Sequence, residues 1–238
     1  LQGDDGMRKK LILLVIVLLG ITGYLYASEN EPCPDDMARI GGFCIDKFEA
    51  PNRKGENPLI MYSMIESEAW CEKRGKRLCF SDEWTTACVG PKRMLWSYGQ
   101  QHQKNICNDN KTYKKYSRYY HAVWRKSFSN PHTESLTELM SRAKQYSEEA
   151  ASAASHFENL YQAEPSGSMD KCVSDYGVYD LLGNVEEWTK KRIGGRKNFS
   201  GRLKGRFWSE PRNCVQSVSN HGDYFRFYET GFRCCKTL

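Results

Sequence analysis

Ten cysteines, at positions 33, 44, 71, 79, 88, 107, 172, 214, 234 and 235, constrain this 238-residue chain more than any other feature. Their number is even, no two are spaced as CxxC, and the five histidines are dispersed. Zinc-site spacing is therefore missing, and disulfides are the expected use. A disulfide framework needs export, and an export signal is present: Arg8, Lys9 and Lys10 precede an apolar run from Leu11 to Tyr26. Residues 7–27 read as a signal peptide or a membrane anchor. The run is slightly short of the ~20 residues that cross a bilayer. Ala27 suits a cleavage point, whereas Leu25 is bulkier than such a point prefers. Basic residues ahead of the run put the rest on the periplasmic or extracellular side, secreted or membrane-anchored. LQGDDG, ahead of Met7, is set aside from fold reasoning.

Adjacent Cys234 and Cys235 point to opposite faces if they lie on a strand, so each requires its own partner. Cys33 with Cys44, across a short hairpin, and Cys107 with Cys172, clamping a long insertion, are the expected pairs, and the remaining connectivity stays open. A hydrophobic fraction of 39% is enough for a real core. The formal charge of +6 is spread through both halves without a basic block, which argues against nucleic acid as a partner.

Along the chain, apolar residues flank Gly41-Gly42 as in a β-hairpin with a tight turn. Ser63 and Glu66 make a capping-box pattern ahead of a short helix that stops at Gly75. Ser81 opens a second helix, with acidic residues in its first turn and Gly90-Pro91 as its end. Residues 111–130 are rich in Tyr, Lys and Arg without a clear period. Ser135 with Glu138 repeats the capping pattern, and Leu136, Leu139, Met140, Ala143, Tyr146, Ala150, Ala153, Phe157 and Leu160 fall at helical spacing. This predicts one amphipathic helix over about 135–161 within an insertion at 111–165, its apolar stripe packed on its own domain, offered to a partner protein or laid on a membrane. AEPSGS ends it, and the rest is turn-rich.

Four pieces then stand in order: GGFCIDKFEAPN (41–52), AWCEKRGKRLCFSDEW (69–84), YGVYDLLGNVEEW (176–188) and GFRCC (231–235). Together they resemble the formylglycine-generating enzyme, or sulfatase-modifying factor, family. That resemblance implies an α+β fold over 31–238: an elaborated C-type-lectin-like domain with few regular elements, preceded here by an N-terminal hydrophobic helix and carrying the helical insertion. It also implies a structural calcium ion at the GNVEEW loop, held by Asn184, the carbonyl of Val185 and Glu187, and a second at Asn105 and the carbonyl of Ile106. Oxygen donors of these kinds suit calcium. Without calcium, Asn184 and Glu187 would cap a turn through hydrogen bonds.

Oxidases of the family hold copper(I) through two cysteines five positions apart, shortly before the GFR strand. The matching stretch here, KGRFWSEPRNCVQSV, puts Glu210 at the first position and leaves only Cys214 near the second. Copper(I) requires soft thiolates, so copper is not expected and Cys214 is assigned to a disulfide. The ergothioneine-synthase branch uses iron on three histidines, and His102, His121, His132, His156 and His221 form no comparable set. The expected function is therefore a non-catalytic binding or scaffolding module for a protein or glycan partner outside the cytoplasm, attached to the membrane by its N-terminal segment if that is retained. The alternative is an oxidoreductase modifying a protein cysteine there. Arg206, Trp208, Arg212, His221, Tyr224 and Arg226, with Tyr228, would form the ligand surface if they share a face. Arg233 is expected to be a buried structural charge.

Overall fold

A computed structural model describes residues 32–128, 133–193 and 196–238. The expected signal or anchor at 7–27 and His132 lie outside these residues. Among the described residues no helix is long and apolar enough to cross a membrane.

Two small sheets organise the domain. Strands β1 (Met37–Ile40) and β2 (Phe43–Asp46) form the expected hairpin, with Ile40 opposite Phe43 across the Gly41-Gly42 turn. Gly41 sits in the left-handed region at φ +55°, as so tight a turn requires. With β3 (Arg77–Leu78) and β7 (Cys234–Thr237) they build a four-stranded sheet in the order β1-β2-β7-β3. The second sheet runs β5-β4-β6, from β4 (Glu186–Lys190), β5 (Gly201–Lys204) and β6 (Thr230–Phe232), with β4 and β6 parallel.

Helix α1 (Met64–Glu72) starts at a complete capping box, in which Ser63 Oγ accepts from Glu66 N and Glu66 Oε2 accepts from Ser63 N at 2.9 Å. Helix α2 (Ser81–Val89) carries Asp82 and Glu83 in its first turn and ends at Gly90. Five disulfides fasten these elements and pair all ten cysteines. Cys33 joins Cys44 and Cys107 joins Cys172. Cys234 and Cys235, on opposite faces of β7, reach Cys71 on α1 and Cys79 beside β3. Cys88 on α2 joins Cys214. This chemistry suits an oxidising, extracytoplasmic environment.

The insertion differs from the single long helix read from its apolar stripe. Helix α3 (Arg118–Ser127) forms where no period was apparent, capped by Ser117 and burying Val123 and Trp124. The long helix is broken into α4 (Leu136–Tyr146) and α5 (Glu148–Leu160). Ser147 adopts extended backbone between them, and its hydroxyl accepts from Ala150 N at 3.1 Å. Glu148 and Glu149 then occupy the first turn of α5, where helix polarity favours acids. A local start signal thus outweighs a stripe that spans both helices. The insertion belongs to the main core: Val123, Trp124, Leu139, Ala153 and Phe157 pack in one cluster with Tyr62, Trp188, Trp208 and Tyr228.

Candidate functional site

The GNVEEW loop is tied in place before any ligand is considered. Gly183 has φ +73°, and a Cβ there would lie 2.2 Å from the carbonyl oxygen of Asn108, so only glycine fits. This close approach lets Asn184 N donate to Asn108 O at 2.7 Å. The Asn184 side chain is fully engaged: Nδ2 donates to Glu49 Oε1 (2.7 Å) and to Glu164 O, and Oδ1 accepts from Asn108 Nδ2 and Glu164 N. Past the loop, strand alternation sends the two carboxylates apart. Glu187 meets Arg233, with Nε donating to Oε2 at 2.7 Å and Nη2 to Oε1 at 2.6 Å, while Trp84 Nε1 donates to Oε2 at 2.8 Å. Glu186 pairs with Arg212. Trp188 anchors the strand, its Nε1 donating to Tyr62 O at 3.0 Å.

Glu49, Asp180 and Glu187 are all buried around the single guanidinium of Arg233. Burial is the main cause that raises the carboxyls of Glu49 and Asp180 above their ordinary range, against the opposing pull of Arg233. These side chains do not fit the calcium sites implied by the family resemblance. Both Glu187 oxygens face Arg233 and Trp84, and Asn184 Oδ1 already accepts two hydrogen bonds. Among the described residues no three acidic, histidine or cysteine side chains are grouped to hold a metal ion. Asn105 lies in an exposed turn where its Oδ1 accepts from Asn110 Nδ2, and neighbouring Ile106 packs partly buried against the second core cluster. The loop is an ion-paired, hydrogen-bonded knot.

The stretch that would carry copper likewise presents other chemistry. Glu210 is exposed and pairs with Arg206, and Cys214 is bonded to Cys88. No thiolate is present, so the donor set does not fit copper(I). Nearby, Glu229 is only 9% exposed, and its Oε2 lacks a hydrogen-bond partner among the described residues. Burial, reinforced by the charge of Glu186, pushes its carboxyl up to about 8. The folded state therefore binds this proton more tightly than the unfolded chain, and this group makes stability fall as pH rises from about 4.5 to about 8. Glu229→Gln is expected to flatten that part of the stability profile and to raise the melting temperature at pH 8. Thermal melts from pH 4 to 9 that keep the parent's slope would show that Glu229 does not titrate there.

The residues expected to form a ligand surface do not share one. Trp208 is fully buried, with the rings of Tyr161 and Tyr228 packed against it at 5.6 and 6.0 Å. The insertion covers this region: Lys111 N donates to Trp208 O, Tyr228 OH to Lys114 O, and Arg226 Nη1 to Phe128 O. Arg226 also pairs with Glu66, and His221 stacks on Phe225 at 3.9 Å. Arg206 and Arg212 are engaged with Glu210 and Glu186, which leaves Tyr224 as the exposed member of the set. Reading these residues in isolation missed their cover, because the insertion had no recognised role.

Fold and site define a disulfide-bonded α+β domain of the elaborated C-type-lectin-like type, its irregular centre held by a buried charge knot. The sulfatase-modifying factor enzyme 1-like domain matches residues 20–238, and the chain belongs to that family. Among curated proteins it is similar to the inactive C-alpha-formylglycine-generating enzyme 2 of Bos taurus, at 26% identity over 156 residues covering 65% of this chain. That match spans 40% of the length of the relative. Among solved structures, CarF superposes with a TM-score of 0.51 at 12% identity, covering 82% of this chain and 86% of that one. PvdO from Pseudomonas aeruginosa gives a TM-score of 0.47 at 14% identity, covering 92% and 76%.

Proposed function

We propose that this chain is a non-catalytic member of its family that acts outside the cytoplasm as a binding module. The carrying observation is the fate of the copper positions: Glu210 is ion-paired to Arg206, and Cys214 is held in a disulfide with Cys88. Oxidising a substrate cysteine with oxygen through copper(I) requires two thiolates at a common point, and this stretch offers a carboxylate and a sulfur already bonded. The curated relative named inactive supports the same reading. The five disulfides support an extracytoplasmic setting, and Arg8, Lys9 and Lys10 ahead of the apolar run support membrane tethering if that run is retained.

The test is incubation of the full chain with copper(I), oxygen and a cysteine-bearing peptide of the kind sulfatases present, read by mass spectrometry. No conversion to formylglycine above a protein-free control is expected. Copper-dependent turnover abolished by Cys214→Ser would overturn the reading.

A further inference from the structure

On the face formed by α2 and the ends of β4 and β5 lies a concave pocket of about 620 Å3 whose lining includes none of the positions matched to the family's copper or calcium ligands. Four cations line it, Lys191, Arg192, Arg202 and Lys204, against the single carboxylate of Asp82. Arg192 already holds Asp82, with Nε donating to Oδ2 at 3.0 Å, and reaches Glu83 at 3.4 Å. Among the described residues no carboxylate pairs with the other three. Lys191 Nζ donates to Phe199 O, Arg202 is exposed, and Lys204 is the unusual member.

Lys204 is 2% exposed, and its Nζ lies 5.1 Å from the centre of the Trp84 ring, donating to Cys214 O at 2.8 Å and Gln216 O at 3.0 Å. Burial, with Arg202 and Arg212 adding to it, lowers this ammonium from its ordinary range to about 8. A buried cation held by carbonyls without a counter-ion puts positive potential at the pocket base while it is protonated, below about pH 8, and an incoming anion would favour that charged form. The rim adds a second property. Ile193 is 88% exposed and Val215 is 56% exposed, both lining the same pocket. Cationic walls with aliphatic side chains at the mouth match a ligand that is anionic and carries apolar groups of its own. Among the described residues no aromatic ring lines the pocket, which disfavours a glycan, since sugars present apolar faces that pack on aromatic planes.

We propose that this pocket is the partner-binding site of the module and that it takes an acidic peptide segment bearing aliphatic side chains, presented by another protein. This rests on the binding-module reading and names its site and ligand class.

The probe is a fluorescently labelled peptide of alternating Glu and Leu, compared with its Gln counterpart and with a sulfated oligosaccharide, by fluorescence polarisation on the full chain. The Glu peptide is expected to bind, more weakly as salt is raised, and the Gln peptide not to bind. Arg202→Glu, at an exposed side chain, is expected to weaken binding at least about tenfold, while Lys126→Glu on α3 leaves it within about twofold. Equal binding by the Arg202→Glu variant, binding of the oligosaccharide alone, or binding of neither probe each overturns the proposal. The copper assay on the same preparation keeps the two readings apart. Cysteine oxidation removes the non-catalytic reading whatever the peptide does, and failure of both assays removes the pocket alone.

Discussion

Arg233→Met is expected to destabilise the domain by about 3–5 kcal/mol, the range for breaking a buried ion pair by removing one partner. Arg233 is fully buried and donates two hydrogen bonds to Glu187, one to Tyr179 O at 2.9 Å, and longer ones to the carbonyls of Asp46 and Lys47. It also holds down the carboxyls of Glu49 and Asp180, which burial drives upward. Methionine fills part of the volume and leaves three buried carboxyl groups without a cation. Without that cation the carboxyls of Glu49 and Asp180 would be driven further up, so the deficit of the variant should shrink as pH falls. Arg233→Lys keeps the charge and loses the planar fork, and should fall between parent and methionine variant. The double change Glu187→Gln with Arg233→Met should recover part of the loss, because the uncompensated charge goes with it. Chemical denaturation of the disulfide-intact proteins decides the matter. A loss below about 1 kcal/mol, or a double variant no better than the single one, would show that the pair does not organise the knot.

How much of this could be read beforehand depends on the range of the signal. The Gly41-Gly42 hairpin, the Ser63 capping box and the end of α2 at Gly90 are set by neighbouring residues, and they stand in the structure. The burial of Arg233 follows from a charge within an apolar strand stretch. Ser147 was legible in principle: a serine followed by two glutamates is a helix start, but the apolar spacing running through it drew the eye past it. The partner of Glu187 was not legible, since Arg233 lies 46 residues away and competes with a metal ion for the same carboxylate. The misjudged surface at Trp208 and Arg226 has a similar origin. Aromatic and basic residues suit an interface and a core equally, and the choice was made by the insertion, through contacts as far apart in sequence as the Lys114 to Tyr228 bond, 114 residues, and the Phe128 to Arg226 bond, 98 residues. The cationic pocket escaped for the same reason: Lys191, Arg202 and Lys204 become neighbours of α2 only once β4 and β5 pair.

Removing both bridges to β7, as Cys71→Ala and Cys79→Ala with Cys234→Ala and Cys235→Ala, is expected to cost at least about 3–5 kcal/mol, more than removing Cys33–Cys44 in the same way. The two β7 bridges span 163 and 156 residues in sequence and Cys33–Cys44 spans 11, so together they take far more freedom from the unfolded chain. Both Cys71 and Cys234 are fully buried, and the two alanines also leave a small void. Removing Cys71–Cys234 alone should cost less than its span of 163 residues implies, because Cys79–Cys235 still closes nearly the same loop. Guanidinium titrations of the three variants give the ranking. A Cys33–Cys44 variant that loses more than the variant lacking both β7 bridges would show that native contacts, not unfolded-chain entropy, set the order. The consequence reaches the charge knot, because β7 lies between β2 and β3 and follows directly on Arg233. Two bridges from adjacent cysteines hold that strand from both faces, and so fix the guanidinium that three buried carboxyl groups share. Loosening β7 should therefore expose the knot to water, and the double-bridge variant should gain less stability on acidification than the Arg233→Met variant, whose carboxyls stay buried.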